Sequence, residues 1–597
     1  MNVKSKKKRS FLQQAKKFGR QGQRGRGTNI AQDQYDYLVR VLERWKAPFE
    51  EDEERSIFVS NVFKQMEGDE RNFAGNQLAS RVIELLLPHA QADVLVKFTK
   101  ELTQDLRIIC TDQFGSHVVE KLAILTAFSK LEEREEMLTW LRKLCRFLAN
   151  NFEDFSSNVY ASHLLRTCIQ CITGMRPENK EKNRSKQFES KQTAGYDILN
   201  KYQFKGDPDL EECLDILNHN VVNLEPSLLQ LEQCSAVVQT YLACTSLAAK
   251  STVLKSTLKE LLEKIFYSNL EFIEHPALVR LLESILEFSS GHEKMFFKIH
   301  KKLFNGRLLE LSTHDQGNFA VQRFFENILT AEMFSLCWAE VASSVEKILA
   351  SGYTGVVLAV VKSCVKLKSD QAAVLKQLGA ALHCDESLEQ LAPACIKLMI
   401  VERLTEDLPV HLHGSLILQE LLKFSKPIQV SLFNPPGTTQ ELLKEGLARK
   451  LAGELVSLSC SKHGSRAFEA LWNSSSLKSK QIMVEELSQQ ESILRSHQFG
   501  KYVYQKCAVS VWKHQKEDWN QIITRSDKDM ELFKDILGDV GKEKKEIDIK
   551  EKRKSEVKEE ENETKKIKLE NPETPTEEEN KEKKKKKKKM KSYLDDL

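Results

Sequence analysis

A short phrase that recurs along this 597-residue chain constrains its fold more than any other feature. Each copy has a small opening residue, a short polar residue, a variable residue, two apolar residues and then Glu or Gln. The clearest copies open at Gly115, Gly317, Gly414, Gly464 and Gly500. Residues three and four apart share one face of a helix, so each phrase predicts a helix with its polar residues on one side. Recurrence of one helical unit along a chain predicts a solenoid.

The spacing of the phrases predicts two or three helices in each unit. The opening residues are Gly75, Gly115, Ala161, Cys234, His275, Gly317, Gly355, Gly414, Gly464 and Gly500. The short intervals are about 40 residues, which is typical of helical repeats. We therefore expect an all-α, curved solenoid of ten or eleven repeats over residues 32–540. Two loops interrupt it, an insertion at about 174–207 and a smaller one at about 426–441.

An eleventh unit is suggested by one internal echo. The string Pro393-Ala394-Cys395-Ile396-Lys397 resembles Pro276-Ala277-Leu278-Val279-Arg280, which follows the opening residue His275. The echo lies close to Gly414, so the number of repeats between 355 and 414 stays open.

Charge is distributed unevenly between the ends and the body of the chain. Residues 1–31 contain ten Lys or Arg and no acid, and residues 541–597 contain 20 Lys or Arg and 17 acids, ending in lysines 583–589. Neither composition can bury enough apolar surface to fold, so we expect a disordered basic arm and a disordered Lys/Glu-rich tail. The body, 32–540, has 60 basic and 69 acidic residues. A body of this charge could bind a polyanion only if it separated its charges by face.

The remaining composition argues against a secreted, membrane or catalytic protein. The basic N-terminus has no apolar run of a signal peptide, and no stretch approaches the ~18 apolar residues of a membrane span. We expect the 13 cysteines to be reduced and mostly in the core. Cys168 and Cys171 have half the spacing of a zinc site without a second pair, so no metal or cofactor is expected. His117 and His163 lack a neighbouring nucleophile or acid, so we expect no enzyme.

The phrase at Gly115 shows the chemistry that such a helix could offer. We call Ser116 the inner polar residue, His117 the stacking residue and Glu120 the terminal polar residue, and we use these names for every phrase. Helical repeats can hold a single-stranded base with two contacts to its edge and one stacking contact. Glu accepts from the two N–H groups of guanine's pairing edge, whereas Gln suits uracil or adenine. An aromatic ring, His or Arg supplies the stacking plane.

The phrases resemble the RNA-reading helix of Pumilio-type (PUF) repeats. Their irregular spacing, the basic Gly/Arg arm and the Lys/Glu tail are more specifically similar to the nucleolar protein nine family, over about residues 35–540. This resemblance implies a curved α-solenoid in the nucleus, chiefly in the nucleolus. It implies a non-enzymatic RNA-binding protein that acts in small-subunit (18S) ribosomal RNA maturation and ribosome biogenesis. The expected partner is single-stranded or mixed-structure ribosomal RNA precursor on the concave face.

The resemblance leaves other partners open. Pre-ribosomal assembly factors are candidates, whereas neither a membrane nor a small-molecule substrate is expected. A final amphipathic segment after residue 512 would cap the array, so the chain is expected to be a monomer.

Carried over residue by residue, the family pattern assigns RNA contacts to eight phrases. Guanine-type pairs are Ser116/Glu120 with His117 and Ser465/Glu469 with Arg466; the uracil-type pair is Asn318/Gln322 with Phe319. Adenine-type pairs are Ser415/Gln419 and Ser235/Gln239, and Ser162/Arg166 with His163 is cytosine-type. Weaker matches are Asn76, and Lys501 with Tyr502 and Gln505. Pro276/Arg280 and Val356/Val360 depart from the pattern, so we expect partial sequence preference together with shape and backbone recognition.

A protein-binding scaffold is the alternative from another class. Armadillo- and HEAT-like solenoids also repeat near ~40 residues, and they act as transport or assembly adaptors. Their peptide grooves do not require a polar pair with a stacking residue between its members.

Overall fold

The computed structural model describes residues 11–22, 24–128, 134–177, 196–198, 207–248, 250–267, 270–384, 390–405, 408–424 and 454–526. These residues are mainly helical. Two short antiparallel strands, β1 (Met175–Pro177) and β2 (Tyr196–Ile198), pair within the predicted insertion. The chain divides into two compact bodies, residues up to Glu454 with Ser461–Leu471, and Leu455–Cys460 with residues from Trp472 onward.

Most of the described helices belong to the first body. In chain order they are α1 Phe11–Arg20, α2 Gln32–Lys46, α3 Asp52–Lys64, α4 Glu70–Ala74, α5 Gln77–Leu86, α6 Ala92–Thr103, α7 Leu106–Thr111, α8 Gly115–Phe128, α9 Arg134–Asn150, α10 Phe152–Ser157, α11 Ala161–Ile172, α12 Pro208–Asn223, α13 Glu232–Leu247, α14 Ser251–Leu261, α15 Pro276–Phe288, α16 Glu293–Ile299, α17 Leu308–Ser312, α18 Gly317–Asn327, α19 Ala331–Val341, α20 Val345–Ala350, α21 Thr354–Leu367, α22 Gln371–Ala381, α23 Leu391–Lys397 and α24 Leu412–Leu421.

The remaining helices belong to the second body, except α26, most of which belongs to the first. They are α25 Leu455–Ser459, α26 Gly464–Ser474, α27 Leu477–Gln489, α28 Glu491–Ser496, α29 Gly500–Lys506 and α30 Val509–His514, followed by a helical stretch at 516–526. Trp519 of that stretch is fully buried, and its indole N–H donates to the Cys507 carbonyl at 2.8 Å. Its ring packs edge-on against Trp512, with centroids 4.8 Å apart. The predicted amphipathic end segment is thus confirmed as far as residue 526, and its later part lies outside the described residues.

Each repeat whose residues are described throughout its helices contains three helical elements, a long helix, a short helix and the helix that carries the phrase. Helices α6, α7 and α8 form one such unit, and α16, α17 and α18 form another. In two units a short 3-10 turn replaces the short helix, at Leu228–Gln230 and Leu270–Glu274. We call the helices that carry the phrase the phrase helices: α5, α8, α11, α13, α15, α18, α21, α24, α26 and α29. The all-α repeat fold predicted from the sequence is confirmed, with three elements per unit.

Phrase helices of the first body pack side by side in chain order, from α5 against α8 through to α21 against α24. Burial of apolar side chains between helices drives this stacking. Aromatic rings fill the unit of α16 to α18, where Phe324 lies 4.4 Å from Phe304 and 5.3 Å from Phe296 between ring centroids. Offset aromatic pairs at such distances stabilise a core beyond the area that they bury.

A residue three positions before the opening residue starts several phrase helices. The Asp112 carboxylate accepts from the backbone N–H groups of Phe114 and Gly115 at 2.8 and 2.7 Å. Asn158 does the same before α11, while the imidazole Nδ1 atoms of His314, His411 and His497 accept before α18, α24 and α29. Such side chains satisfy N–H groups that a helix start leaves without an intrahelical partner.

The opening glycines are required by close packing. A methyl group on Gly115 would overlap the side chain of Ile109 in the preceding short helix, and one on Gly414 would overlap the Cys395 carbonyl. The small opening residue of the phrase therefore lets the short helix approach the phrase helix closely.

The string at Pro393 does not open a phrase helix. It forms α23, which packs against α24 and whose Cys395 carbonyl lies against Gly414. This is the relation of α7 to α8, so α23 is the short helix of the unit that ends in α24. Pro393 is the third residue of the short helix α23, whereas Pro276 is the first residue of phrase helix α15.

The basic arm is ordered from residue 11, so the prediction of disorder is wrong for that part. Helix α1 packs on α2, where the buried Tyr35 hydroxyl donates to the Ala15 carbonyl at 3.2 Å. Composition predicted disorder because the few apolar side chains of this segment cannot form a core alone, but Ala15 and Ile30 are buried against the body. Residues 1–10, the loop at 426–441 and the tail at 541–597 lie outside the described residues.

All 13 cysteines are described, and each is a free thiol; all are buried except Cys384 and Cys460, which are half-buried. A hydrogen bond with Cys145, together with burial, raises the pKa of Cys168, and burial raises that of Cys171. Both side chains therefore pack as neutral thiols in α11. Among the described helices, none has the length and apolar character needed to cross a bilayer.

Candidate nucleic-acid interface

The inner polar residues are buried in most phrase helices. They are Asn76, Ser116, Ser162, Ser235, Asn318 and Ser415, whereas Ser465 is half-buried and Lys501 is exposed. The Ser235 hydroxyl donates to the Ala277 carbonyl at 2.7 Å, and the Ser415 hydroxyl donates to the His463 carbonyl at 2.8 Å. These two side chains tie a phrase helix to the start of the next one, which is a structural role that the sequence did not reveal.

The stacking residues, in contrast, face solvent. His117, His163 and Arg466 are exposed, and the rings of Phe319 and Tyr502 are 47% and 61% exposed. Ala236 and Leu416, which offer no stacking plane, are half-buried. Nucleic-acid bases can stack on exposed planar side chains of this kind.

The terminal polar residues lie at the border between these two layers. Glu120 accepts from the Thr167 hydroxyl at 2.7 Å, and Arg166 donates to the Thr240 hydroxyl at 3.0 Å. Thr167 and Thr240 each belong to the next phrase helix, so the contact runs from one repeat to the next. These side chains are half-buried. A ligand could therefore reach part of each polar group while its other part fixes its direction.

In three phrases whose terminal polar residue is Gln, its amide donates a hydrogen bond to the inner polar residue of the same phrase. Gln239 donates to Ser235, Gln322 donates to Asn318 and Gln419 donates to Ser415, at 2.9 to 3.1 Å. These three sequence-predicted pairs are thus brought together by one helical turn. The bond orients the amide of the terminal residue with respect to its inner partner.

An ion pair defines the electrostatics of the Gly115 phrase. The His117 Nδ1 lies 3.4 Å from a Glu120 carboxylate oxygen, and this hydrogen bond raises the pKa of His117. Burial pushes the pKa of Glu120 upward, but the bonds from His117 and Thr167 outweigh it and the pKa lies below its usual range. Glu120 is therefore a carboxylate at neutral pH and only accepts hydrogen bonds. Arg466 and Glu469 form the corresponding pair at 3.0 Å.

The phrase of α29 in the second body has a different surface. The Lys501 ammonium lies 5.1 Å from the centroid of the Tyr502 ring, and Gln505 is exposed. A cation over an aromatic face gives a flat surface with a positive charge beside it. This arrangement suits contact with a phosphate better than reading of a base edge.

Three phrases cannot read a base edge as they stand. Asn76 is completely buried; its amide N–H groups donate to the Arg24 and Thr28 carbonyls, and its oxygen caps α5. The assignment of an RNA contact to Asn76 is not compatible with this burial. In the other two, Arg280 pairs with Glu232, and Val356 and Val360 are in the core, as their apolar character predicts.

Cations next to the phrases were not singled out from the sequence. Arg81, Lys121, Arg323 and Lys506 each follow the terminal position of a phrase directly. Arg81 is exposed and pairs with Glu84, and Arg323 is half-buried and pairs with Glu326. This recurrence at one position could have been found in the sequence. These cations supply positive charge beside the stacking residues, although residues 32–540 as a whole have a net negative charge.

Three-helix units whose phrase helices pack in chain order, several of them with a planar side chain facing solvent, define an α-solenoid of the Pumilio type. A model of the NOP9-like PUF repeat domain matches residues 68–211, 227–439 and 432–502. The chain belongs to the NOP9-like PUF repeat family.

Relatives and solved structures agree with this membership. Nucleolar protein 9 of Mus musculus is 24% identical over 583 residues, covering 83% of this chain and 88% of the mouse protein. Pumilio homolog 23 of Arabidopsis thaliana is 23% identical over 542 residues, covering 78% and 70%. A structure named "Structure of APUM23-deletion-of-insert-region-GGAAUUGACGG" has 20% identity and a TM-score of 0.60, and covers 82% of this chain and 99% of its own. The shared name of the mouse, human and fungal relatives places the chain in the nucleus, at the nucleolus.

Proposed function

We propose that the chain is a non-enzymatic RNA-binding protein of ribosome biogenesis, which binds ribosomal RNA precursor during maturation of the small-subunit (18S) RNA. The RNA lies along the phrase helices, on the face that we expect to be concave. The observation that carries this proposal is the exposure of His117, His163, Phe319 and Arg466 on packed helices of one body, each above a half-buried terminal polar residue.

The arrangement fits RNA chemically. Exposed planar side chains stack on bases of any sequence, and polar groups beside them discriminate between base edges. The carboxylates of Glu120 and Glu469 are acceptors that suit the pairing edge of guanine. Because Val356, Val360 and Arg280 offer no such pair, the middle repeats recognise shape and backbone, which suits RNA with both paired and unpaired parts.

Family and relatives support the same partner. Structures in which APUM23 is named together with the sequence GGAAUUGACGG share this fold. That sequence contains two uracils, two GG steps and a single guanine between them, so it provides a first RNA probe for this chain.

The test compares two variants, Glu120→Ala and Glu469→Ala, with the full chain by fluorescence anisotropy on GGAAUUGACGG and on RNAs with single guanines replaced. We expect each variant to lose about tenfold of its preference for one guanine, since an edge contact contributes about 1–3 kcal/mol of discrimination. Circular dichroism should show an unchanged helix content.

Glu287→Ala is the matched control, because Glu287 lies on phrase helix α15 but outside the phrase positions. It should leave base preference unchanged. An unchanged base preference in both test variants would contradict the assignment of guanine recognition to Glu120 and Glu469. Absence of RNA binding by the full chain would instead favour a protein-binding scaffold.

A further inference from the structure

We propose that the docked N-terminal arm forms part of the RNA-binding surface. The arm covers the base-reading position of the first repeat, and it presents the Arg26 guanidinium to an RNA phosphate at that place. This inference rests on the proposed function for the presence of RNA, and on the docked arm for the place and chemistry of the contact.

The arm is docked on the start of α5 by backbone hydrogen bonds. The Thr28 N–H donates to the Gly75 carbonyl at 3.1 Å, and the Gln77 N–H donates to the Arg26 carbonyl at 2.9 Å. The amide of Asn76 donates to the Arg24 and Thr28 carbonyls at 3.0 and 2.9 Å. The inner polar residue of the first phrase is thus occupied by the arm, where a base edge would otherwise lie.

The glycines on either side of Arg26 explain why the arm fits. Gly25 and Gly27 have φ values of +83° and +92°, a conformation that other residues rarely adopt. A methyl group on Gly27 would overlap the Gly75 carbonyl and the ring of Phe114. The arm therefore crosses from the first phrase to the residue that precedes Gly115 in the second, and its backbone leaves no room for a larger residue at Gly27.

Further contacts anchor the arm on both sides of this crossing. Ile30 is buried, and the Arg24 guanidinium donates to its carbonyl at 3.2 Å. The Thr28 hydroxyl donates to the Asn72 carbonyl. Arg24 is consequently used within the arm itself.

Arg26 is left with a different role. The Arg26 carbonyl accepts a hydrogen bond from the backbone N–H of Gln77, the residue at the stacking position of the first phrase. The Arg26 side chain is exposed. In the part of the chain that the structure describes, its guanidinium has no ion-pair or hydrogen-bond partner. A guanidinium held on a rigid backbone beside a stacking position loses little freedom on binding a phosphate, and it binds phosphate oxygens in a bidentate manner.

The experiment measures the affinity of the full chain for labelled GGAAUUGACGG over a series of salt concentrations. Arg26→Ala should weaken binding about three- to tenfold and lower the slope of log affinity against log salt by about 0.7, the loss of one phosphate contact. Arg26→Lys should keep the slope because it keeps the charge. Lys17→Ala, the same loss of charge at an exposed position on α1, should stay within about twofold.

A second variant separates docking from charge. Asn76→Asp keeps the oxygen that caps α5 but removes the N–H groups that hold the Arg24 and Thr28 carbonyls. Trypsin should then cut after Arg24 and Arg26 faster than in the parent chain, and the salt slope should fall as in Arg26→Ala although Arg26 is present. Tighter RNA binding by Asn76→Asp would overturn the proposal, because the arm would then compete with RNA. An unchanged slope in Arg26→Ala would overturn it too, whereas a parent chain that binds no RNA would contradict the proposed function instead.

Discussion

Phrase helices α8 and α21 follow one packing plan but present different surfaces. Both lie between two other phrase helices, and both open on a glycine in close contact with a neighbour. In α8, His117 is exposed and Glu120 is half-buried, whereas in α21 the residues Val356 and Val360 are only 1% and 3% exposed. The stacking of repeats therefore does not require a polar phrase.

This difference bears on why α8 has polar residues at the inner and terminal positions. If α21 stacks with valines at the inner and terminal positions, the polar residues of α8 are not needed for packing. They cost desolvation where they are half-buried, and Glu120 offsets that cost by bonds to His117 and Thr167. The polar surface of α8 is the one on which we propose that RNA binds.

The largest expected effect comes from exchanging the two terminal residues. Val360→Glu places a carboxylate in the apolar layer formed with Trp338, Val341 and Leu378, and should destabilise the chain by about 3–5 kcal/mol. Glu120→Val removes the acceptor of Thr167 and should cost only about 1 kcal/mol. Urea unfolding of both variants provides the comparison. Equal losses of stability in the two variants would contradict the different surroundings of Val360 and Glu120.

The opening glycines give the next largest effect. Gly414→Ala sets a methyl group against the backbone carbonyl of Cys395, which cannot move aside, and should destabilise by about 2–3 kcal/mol. Gly355→Ala meets only the end of the flexible Gln322 side chain and should cost less than about 1 kcal/mol. Thermal melting of the two variants measures the difference. A reversed order would contradict the close packing of α23 on α24.

Acidification should destabilise the start of α24. Burial, and to a lesser extent His463, lowers the pKa of His411, whose Nδ1 caps α24 only when it is unprotonated. The stabilisation is therefore present above the ordinary imidazole pKa of about 6.5 and is lost as the pH falls through the lowered value. Hydrogen exchange of 412–421, corrected for intrinsic rates, should increase between pH 7 and 5.

His411→Asn is the control for this pH effect, since an amide oxygen also caps a helix but does not titrate in this range. Protection of 412–421 should then be independent of pH. The same dependence in the variant would assign it to another group.

The smallest effect concerns His117, and its sign is opposite. The hydrogen bond to Glu120 raises the pKa of His117, so its stabilisation is present below the ordinary imidazole pKa and is lost as the pH rises through the raised value. An NMR titration of the His117 ring should give a pKa above 6.5, and Glu120→Gln should bring it down. A pKa of His117 that does not respond to Glu120→Gln would remove the ion pair from the description of this phrase.

The repeat unit and its phrase helices were predictable from the sequence because they depend on local spacing. Asp112, Asn158 and His411 also stand at a fixed distance before the opening residue, so the helix caps were present as a pattern that went unused. The burial of Ser235 and Ser415 was not predictable, since it depends on the carbonyls of Ala277 and His463 in the following unit. A sequence pattern places side chains on a helix face but does not show what the next helix covers.

The arm shows the same limit more strongly. Its Gly- and Arg-rich composition predicted disorder, yet Gly27 fits a site that exists only when α5 and the residue before α8 are in place. Order in such a segment comes from the surface that receives it, which composition cannot reveal.

The most direct test of RNA binding along the phrase helices compares two exposed phenylalanines. Phe319 is the stacking residue of α18 and is 47% exposed, while Phe297 lies on the long helix α16 of the same unit and is 53% exposed. Base stacking on an aromatic side chain contributes about 1–3 kcal/mol, so Phe319→Ala should weaken binding of GGAAUUGACGG by about 5- to 100-fold, and Phe297→Ala by less than about twofold. Equal affinities of the two variants, or a larger loss for Phe297→Ala, would contradict the account.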